Sequence, residues 1–255
     1  MSANLSKDIK LEADGCIFYF KYLDWDSNYF KIKSYVLDVD KSILKPSTEI
    51  MNLLNSEMQD SFITLKIDSK YNRELLNFLQ TAGFRYIDTE VTLKYNKKNY
   101  KEIIKNSSIE IKKLCKNKGL PYKELGSVYS LTRFHWDKNI SKQKADLLWI
   151  NYIKNYKPSP LNHIFIARYN SEVAGSILVN ESSDKKRANL FFVSVVKRFS
   201  GNKIGSQLIQ YVVSYFNNPE IITETQVKNI KALNFYIKNG FSLIEETKTI
   251  MHRWS

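Results

Sequence analysis

Apolar positions along this chain follow two rhythms. Where they run together or alternate with polar residues, as in Ser61-Phe-Ile-Thr-Leu-Lys-Ile67, the pattern predicts a strand. Where they recur three and four apart, as in Leu75, Leu76, Phe78 and Leu79, it predicts a helix. On that reading the front of the chain holds strands over 16–22, 35–39, 61–67 and 85–95, with helices over 48–58 and 72–81. Polar stretches at Asn96-Lys-Lys-Asn99 and Ser107-Ser108 break the pattern, and a domain boundary is expected near residue 105. Behind it come a strand over 109–114, a helix from Pro121 to about residue 134 and a helix over 142–155. Strands over 163–169, 172–180 and 188–197, a helix over 203–216 and a strand over 220–226 follow. Pro121 suits a helix start because its missing N–H has no intrahelical partner to lose there. A short helix from Ala232, stopped by Asn239-Gly240, and a strand over 242–253 close the chain. The expected class is α/β: a mixed, mostly antiparallel sheet flanked by helices over 106–255, preceded by a smaller α/β domain over 1–105.

A repeat is hidden in this order. Leu76-Asn-Phe78, four residues and Gly83-Phe84 reappear as Leu233-Asn-Phe235, four residues and Gly240-Phe241, and each copy runs into an extended segment. Identical spacing in two helix–stop–strand units predicts a duplicated half-domain, with glycine past the helix end and phenylalanine anchoring the strand. The copies differ at a chemical position. Tyr236 in the second stands where the first has Leu79, and the first half has no glycine loop. The front copy therefore reads as scaffold.

Composition narrows the class. Hydrophobic residues make up 43% and aromatics 13%, enough for packed cores and too much for disorder. No run approaches the roughly 18 apolar residues of a membrane span. The polar start MSANLSKDIK has no signal-peptide core. Cys16 and Cys115 lie far apart without metal-ligand spacing, which argues against a disulfide framework or a metal site and for a reducing, cytoplasmic setting. Both are expected as small packed side chains. The formal charge of +13 comes from lysines scattered along the chain. It fits either a solvated basic surface or a field that attracts anionic ligands, and no basic helix or reading module points to nucleic acid.

Gly201-Asn-Lys-Ile-Gly205 enters the helix over 203–216. Glycines at a helix start offer unpaired N–H groups and the positive end of the dipole, which suits a pyrophosphate. This loop and Ala232-Leu-Asn-Phe-Tyr-Ile-Lys-Asn-Gly-Phe241 resemble the acetyl-CoA loop and tyrosine helix of the GNAT superfamily of N-acetyltransferases, over roughly residues 108–255. The resemblance implies a GNAT fold with the front domain as a degenerate half-copy, and acetyl-CoA as cofactor without a metal. It implies that the strand over 192–196 splays from that over 223–227, with Ser194, Val195 and Val196 holding the pantetheine arm. Ser200, Gly201, Asn202, Lys203, Ile204, Gly205 and Ser206 would then meet the pyrophosphate. Asn229 matches a family position on the cofactor arm, and a helix N-cap is an equally good reading of it. The loop departs from the family's Arg/Gln-x-x-Gly-x-Gly/Ala pattern, with Ser200 at the Arg/Gln place and Lys203 where a glycine is usual. Lys203 either adds a cation near phosphate or marks a loop that has lost the cofactor. Tyr236 becomes the general acid for the departing thiolate, against its plainer reading as a core aromatic; a phenol of pKa ~10 lies close enough to a thiol of ~8.5. Glu224 and His135 are the candidate bases, with a water chain as the alternative.

A narrower resemblance rests on Leu23-Asp-Trp-Asp-Ser-Asn-Tyr-Phe30, on Thr132-Arg-Phe-His135 ahead of the helix with Trp149, and on the tail over 232–254. These are similar to segments of the bacterial TDP-fucosamine acetyltransferase group. That implies a nucleotide-linked amino-deoxysugar as acceptor, a precursor of surface polysaccharide. Arg133, Phe134, His135 and Trp136 would lie beside its pocket, an arginine for phosphate and aromatics for a sugar or base face. Trp149 and Tyr152 read better as helix packing, and Trp25 and Phe30 as packing between domains. Two other classes stay open. One is an acetyltransferase for a protein or another small-molecule amine, which wants an acidic groove that the +13 charge disfavours. The other is a non-catalytic acyl-CoA-binding module. A homodimer stands open beside a single chain.

Overall fold

The computed structural model describes residues 7–13, 15–39, 48–70, 73–99, 106–216 and 220–255. In chain order these form β1 (Ile9–Ala13), β2 (Cys16–Tyr22), α1 (Asp24–Phe30), β3 (Lys33–Val39), α2 (Thr48–Glu57), β4 (Ser61–Asp68), α3 (Arg73–Thr81) and β5 (Arg85–Tyr95). Then follow β6 (Ile109–Leu114), α4 (Tyr122–Gly126), α5 (Arg133–Trp136), α6 (Lys142–Asn155), β7 (Asn162–Tyr169), β8 (Glu172–Glu181) and β9 (Arg187–Val195). The last are α7 (Ile204–Tyr215), β10 (Glu220–Gln226), α8 (Ile230–Lys238) and β11 (Phe241–Trp254), with short 3-10 turns at Lys97–Asn99 and Lys197–Phe199. β1 and α1 add to the expected set. The single helix expected from Pro121 to about 134 is instead two short ones, α4 and α5. Thr132 takes an extended conformation (φ −105°, ψ 164°) and forms a capping box with His135, which starts a new helix inside the stretch.

By its internal contacts the chain forms two compact units, Met1–Glu90 with Glu246–Ser255, and Val91–Glu245. The chain passes between units inside β5 and again inside β11; the boundary expected near residue 105 lies outside the described residues.

In the first unit β1, β2 and β3 pair antiparallel in succession, and β3 pairs parallel with β4 across the α2 crossover. The end of β11 pairs antiparallel with β4, Trp254 opposite Phe62 and Lys248 opposite Asp68. Alternation puts Phe18, Phe20, Leu37, Ile63, Leu65 and Met251 into one core with Ile50 and Leu54 of α2 and Leu75 and Leu79 of α3. Phe30 makes edge-on contacts with Phe62 and Trp254 of the same unit, where packing between domains had been the expectation.

In the second unit β6 to β9 run antiparallel in chain order and β9 pairs parallel with β10. Each sheet face has its own core. Ile177 and Val179 pack with Leu208 and Val212 of α7 and Tyr236 of α8, while Ile164, Leu178 and Phe192 pack with Leu125 of α4 and Ile153 of α6. The two copies of the repeat are α3–β5 and α8–β11. Gly83 and Gly240 sit at φ 88° and 89°, a left-handed conformation that glycine holds without strain, and Phe84 and Phe241 are both buried. Leu79 is fully buried where the second copy has its tyrosine. Cys115 is exposed rather than packed, because β6 has ended and the chain bends there; the side chain of Cys16 lies outside the described residues. Among the described residues no group of side chains could hold a metal ion, and no helix is long and apolar enough to cross a membrane.

Arg253 locks the first unit. Its guanidinium is buried and donates to the C=O of Ala82 (2.9 Å) and Met58 (3.4 Å) and to Asn55 Oδ1 (3.0 Å), closing the carbonyl ends of α2 and α3. Arg253→Met keeps the stem and removes these donors, so urea denaturation is expected to show a loss of about 2–4 kcal/mol. A loss under ~0.5 kcal/mol would mean that water replaces the guanidinium without penalty.

Candidate functional site

The pairing of β9 with β10 is brief. Arg187, Ala188 and Asn189 stand opposite Glu220, Ile221 and Ile222, and there the paired register stops. Beyond it β9 bulges: Leu178 faces Phe192 and Asn180 faces Asn189, so Leu190 and Phe191 share the place opposite Val179. The side-chain hydroxyl of Thr223 donates to the Leu190 C=O at 2.9 Å. Val196 N–H donates to Ala174 C=O on β8 at 2.8 Å. Alternation therefore turns the N–H and C=O of Val193 and Val195 to the opposite edge, toward β10, where the strands have parted. The splay expected from the resemblance is present.

Tyr129, from the turn between α4 and α5, enters this gap. Its hydroxyl accepts from Val193 N–H at 2.8 Å and donates to Val193 C=O at 3.0 Å. The ring stacks on Phe192 (centroids 4.6 Å apart, planes at 16°) and lies 4.8 Å from the Trp149 ring. Burial, then the neighbouring Tyr236 phenol, push its pKa well above the usual tyrosine range, so it keeps its proton. Tyr236 reaches the same place from α8. It is buried between Phe235 and Phe241, its phenol lies beside the Thr223 side chain, and burial lifts its pKa to about 12. Three hydroxyls, of Tyr129, Thr223 and Tyr236, are thus gathered where β9 leaves β10.

The gap leads to the loop before α7. N–H groups of Phe199 and Ser200 fold back onto the C=O of Val196 and Lys197, whereas among the described residues no acceptor meets those of Gly201 to Ser206. These amides lie at the positive end of α7 with Lys197 and Lys203 exposed beside them, and they fit a phosphate group. Gly205 lets the helix start approach its neighbours closely. A Cβ there would stand 3.1 Å from the Phe235 ring and 3.3 Å from Val195 Cγ2. Lys203 adopts φ 59°, ψ 12° at the position where the resembled loop carries glycine, a conformation that strains an ordinary residue by roughly 1–2 kcal/mol. An open cavity of about 550 Å³ is lined by Glu124, Ser127, Val196, Lys197 and Arg198. Arg198 is tied there to Glu124 and Glu172.

The other expected site residues divide. Ser194 donates its hydroxyl to Leu125 C=O at 2.8 Å and Val196 is held by Ala174, so of the three expected strand residues only Val195 turns its backbone to the gap. Asn202 Nδ2 donates to Phe199 C=O within the loop. Asn229 acts as the N-cap of α8, its Oδ1 accepting from Ala232 N–H at 3.2 Å. Glu224 accepts from Asn189 Nδ2 at 3.5 Å and alternates with Thr223, on the other face of β10. His135 Nδ1 lies 2.8 Å from Thr132 Oγ1 and Nε2 lies 3.0 Å from Asp146, so both ring nitrogens are engaged in the cap and an ion pair. As placed, it has no lone pair free for an acceptor amine. The Arg133 guanidinium lies on the Phe134 ring, and Phe134 is buried. Trp136 is 46% exposed, with Lys228 Nζ 4.6 Å above its ring. Of the four residues of α5, Trp136 is the exposed one.

Tyr129 and Val193 escaped the sequence reading. Tyr129 falls inside a stretch read as continuous helix, and the bulge that turns Val193 outward is visible only in the register against β8.

Residues 127–241 match the model of the Acetyltransferase (GNAT) family, from the turn that carries Tyr129 to Phe241. The whole chain is similar in structure to a functionally unknown conserved protein from Staphylococcus epidermidis (15% identity, TM-score 0.66, covering 99% of this chain and 96% of that one). It is similar to a GCN5-related N-acetyltransferase from Kribbella flavida (10% identity, TM-score 0.63, 96% and 89%). A tandem GNAT protein from the clavulanic acid biosynthesis pathway is a third (10% identity, TM-score 0.58, 95% and 81%). These likenesses establish the GNAT fold. No curated protein matches the chain in sequence.

The left-handed lysine gives a direct test of the loop. Lys203→Gly is expected to raise stability by about 0.5–1 kcal/mol in urea denaturation, because it removes the strain and adds back some unfolded-chain freedom. A fall in stability would show that contacts of the lysine stem outweigh the strain.

Proposed function

We propose that this protein is an acetyl-CoA-dependent N-acetyltransferase acting on the amine of a nucleotide-linked amino-deoxysugar. The observation that carries the cofactor is the parted β9–β10 edge, which runs from outward-facing backbone groups to a helix start with open amides. Acetyl-CoA, when bound, supplies an activated thioester carbonyl. The N–H and C=O of Val195 suit an amide of its arm, and the amides of Gly201 to Ser206, with Lys197 and Lys203, suit its phosphates. Tyr236 holds a proton at Oη throughout the neutral range, since its pKa is about 12, and offers it to a leaving thiolate at the gap. The raised value makes the phenol a hydrogen-bond donor first and a proton source only as charge builds on sulfur. For the base, Glu224 and a water chain remain the candidates. His135 is not one, because its ring is fully engaged.

The acceptor assignment comes from the resemblance of the Leu23–Phe30, Thr132–His135 and tail segments, from the +13 charge, and from the exposed Trp136 with Lys228 over its ring. A cation beside an aromatic face suits a nucleotide's phosphate and base.

Tyr236→Phe is expected to lower turnover by about 10²–10⁴ with acetyl-CoA affinity nearly unchanged, read by steady-state kinetics beside calorimetry. Turnover within a factor of about two of the parent would remove Tyr236 from proton transfer. For the acceptor, nucleotide-linked 4-amino-4,6-dideoxyhexoses are offered in parallel with free amino sugars, aminoglycosides and lysine peptides. The nucleotide sugars are expected to turn over fastest, and faster acetylation of a peptide or aminoglycoside would overturn the acceptor assignment.

A further inference from the structure

We propose that Tyr129 determines whether the cleft accepts acyl-CoA, because its hydroxyl occupies both backbone groups of Val193 that an amide of the incoming arm would use. This inference rests on the acyl-CoA reading above and goes beyond it in naming what the cofactor must displace.

The geometry is specific. A strand residue turned to an open edge offers one N–H and one C=O, and a secondary amide lying alongside satisfies both. The Tyr129 hydroxyl is one donor and one acceptor on the same atom, and it meets both groups of Val193 at 2.8 and 3.0 Å. Bare Val193 groups in this setting would be unsatisfied and costly, so the phenol is a substitute partner rather than a bystander. Its ring fills the space between Phe192 and Trp149. Trp149 Nε1 is buried beside it with no acceptor among the described residues. That orphaned donor marks the place as one with more polar capacity than the closed arrangement satisfies.

The segment that carries Tyr129 is a short turn held at its two ends. It lies between α4 and α5, helices of five and four residues. Its own backbone is anchored by Ser127 N–H to Lys123 C=O and Tyr129 N–H to Gly126 C=O at one end, and by the Thr132–His135 cap at the other. The far end of the cleft has no comparable occupant, since the Gly201–Ser206 amides are open. A ligand can therefore bind first by its phosphates and then compete with Tyr129 for Val193.

Calorimetry with two ligands tests this. Adenosine 3′,5′-bisphosphate carries phosphates and no arm; acetyl-CoA carries both. Tyr129→Phe keeps the ring and removes the competing hydroxyl. It is expected to bind acetyl-CoA about tenfold more tightly than the parent and the bisphosphate equally well. The free variant should also melt at a lower Tm, with a larger rise on adding acetyl-CoA, since Val193 is left unpaired until the arm arrives. Equal or weaker acetyl-CoA binding by the variant, with both proteins binding, overturns the role of Tyr129 and leaves the cofactor reading intact. No binding of either ligand by either protein overturns both. Should the variant fail to fold, hydrogen exchange in the parent decides. Acetyl-CoA is expected to raise exchange across residues 127–132, and a fall there would overturn the proposal.

Discussion

Leu190 and Phe191 share a place opposite Val179, and that one extra residue reverses which edge of β9 every later residue presents. It ends the pairing with β10 at Ile222 and turns Val193 and Val195 into an interior edge with open backbone groups. An unpaired N–H or C=O away from water is unfavourable by an amount comparable to a lost hydrogen bond, so such an edge persists only with substitutes. Thr223 supplies one for Leu190, Tyr129 another for Val193, and the helix start of α7 lies where the edge ends. The open backbone groups here are thus a by-product of interrupted sheet pairing, and Thr223 and Tyr129 can each be read by the group they serve.

The repeated helix–stop–strand unit shows one fold element with a leucine in one copy and a tyrosine in the other. Both copies keep the left-handed glycine and the buried phenylalanine, because those fix the turn and the strand entry. At the matched helical position one copy buries Leu79 in an apolar core and the other buries a phenol beside a parted strand pair. The strands that follow, β5 and β11, each begin in one unit and end in the other, so each unit is completed by chain from both halves of the sequence. Arg253 shows the consequence: a residue at the end of the chain closes two helices of the front half.

Much of this was legible in the sequence. Strand and helix periods, the Gly201–Gly205 loop and the repeat are local signals, and local geometry honours them. The left-handed turn at Lys203 also follows from its place in the loop, although its lysine hides it. What was not legible depends on distant partners. The break between α4 and α5 reflects a cap made by Thr132 with a histidine instead of the usual glutamate or glutamine, and Tyr129 departs from the helix for a backbone 64 residues away. Arg133 and His135 carried chemically attractive side chains, but their bonding to Phe134, Thr132 and Asp146 assigns them to local structure. Residue type suggested a ligand pocket there, and contact geometry engages both ring nitrogens of His135 in the fold.

Amide-resolved NMR of ¹⁵N-labelled protein titrated with CoA tests the central claim most directly, namely that the β9–β10 gap and the start of α7 form one ligand site. If they do, the signals of Val193, Val195 and Gly201 to Ser206 should shift together and saturate at one concentration. Signals that move in the loop while Val193 and Val195 stay fixed at saturation, or no movement in either segment, would contradict it.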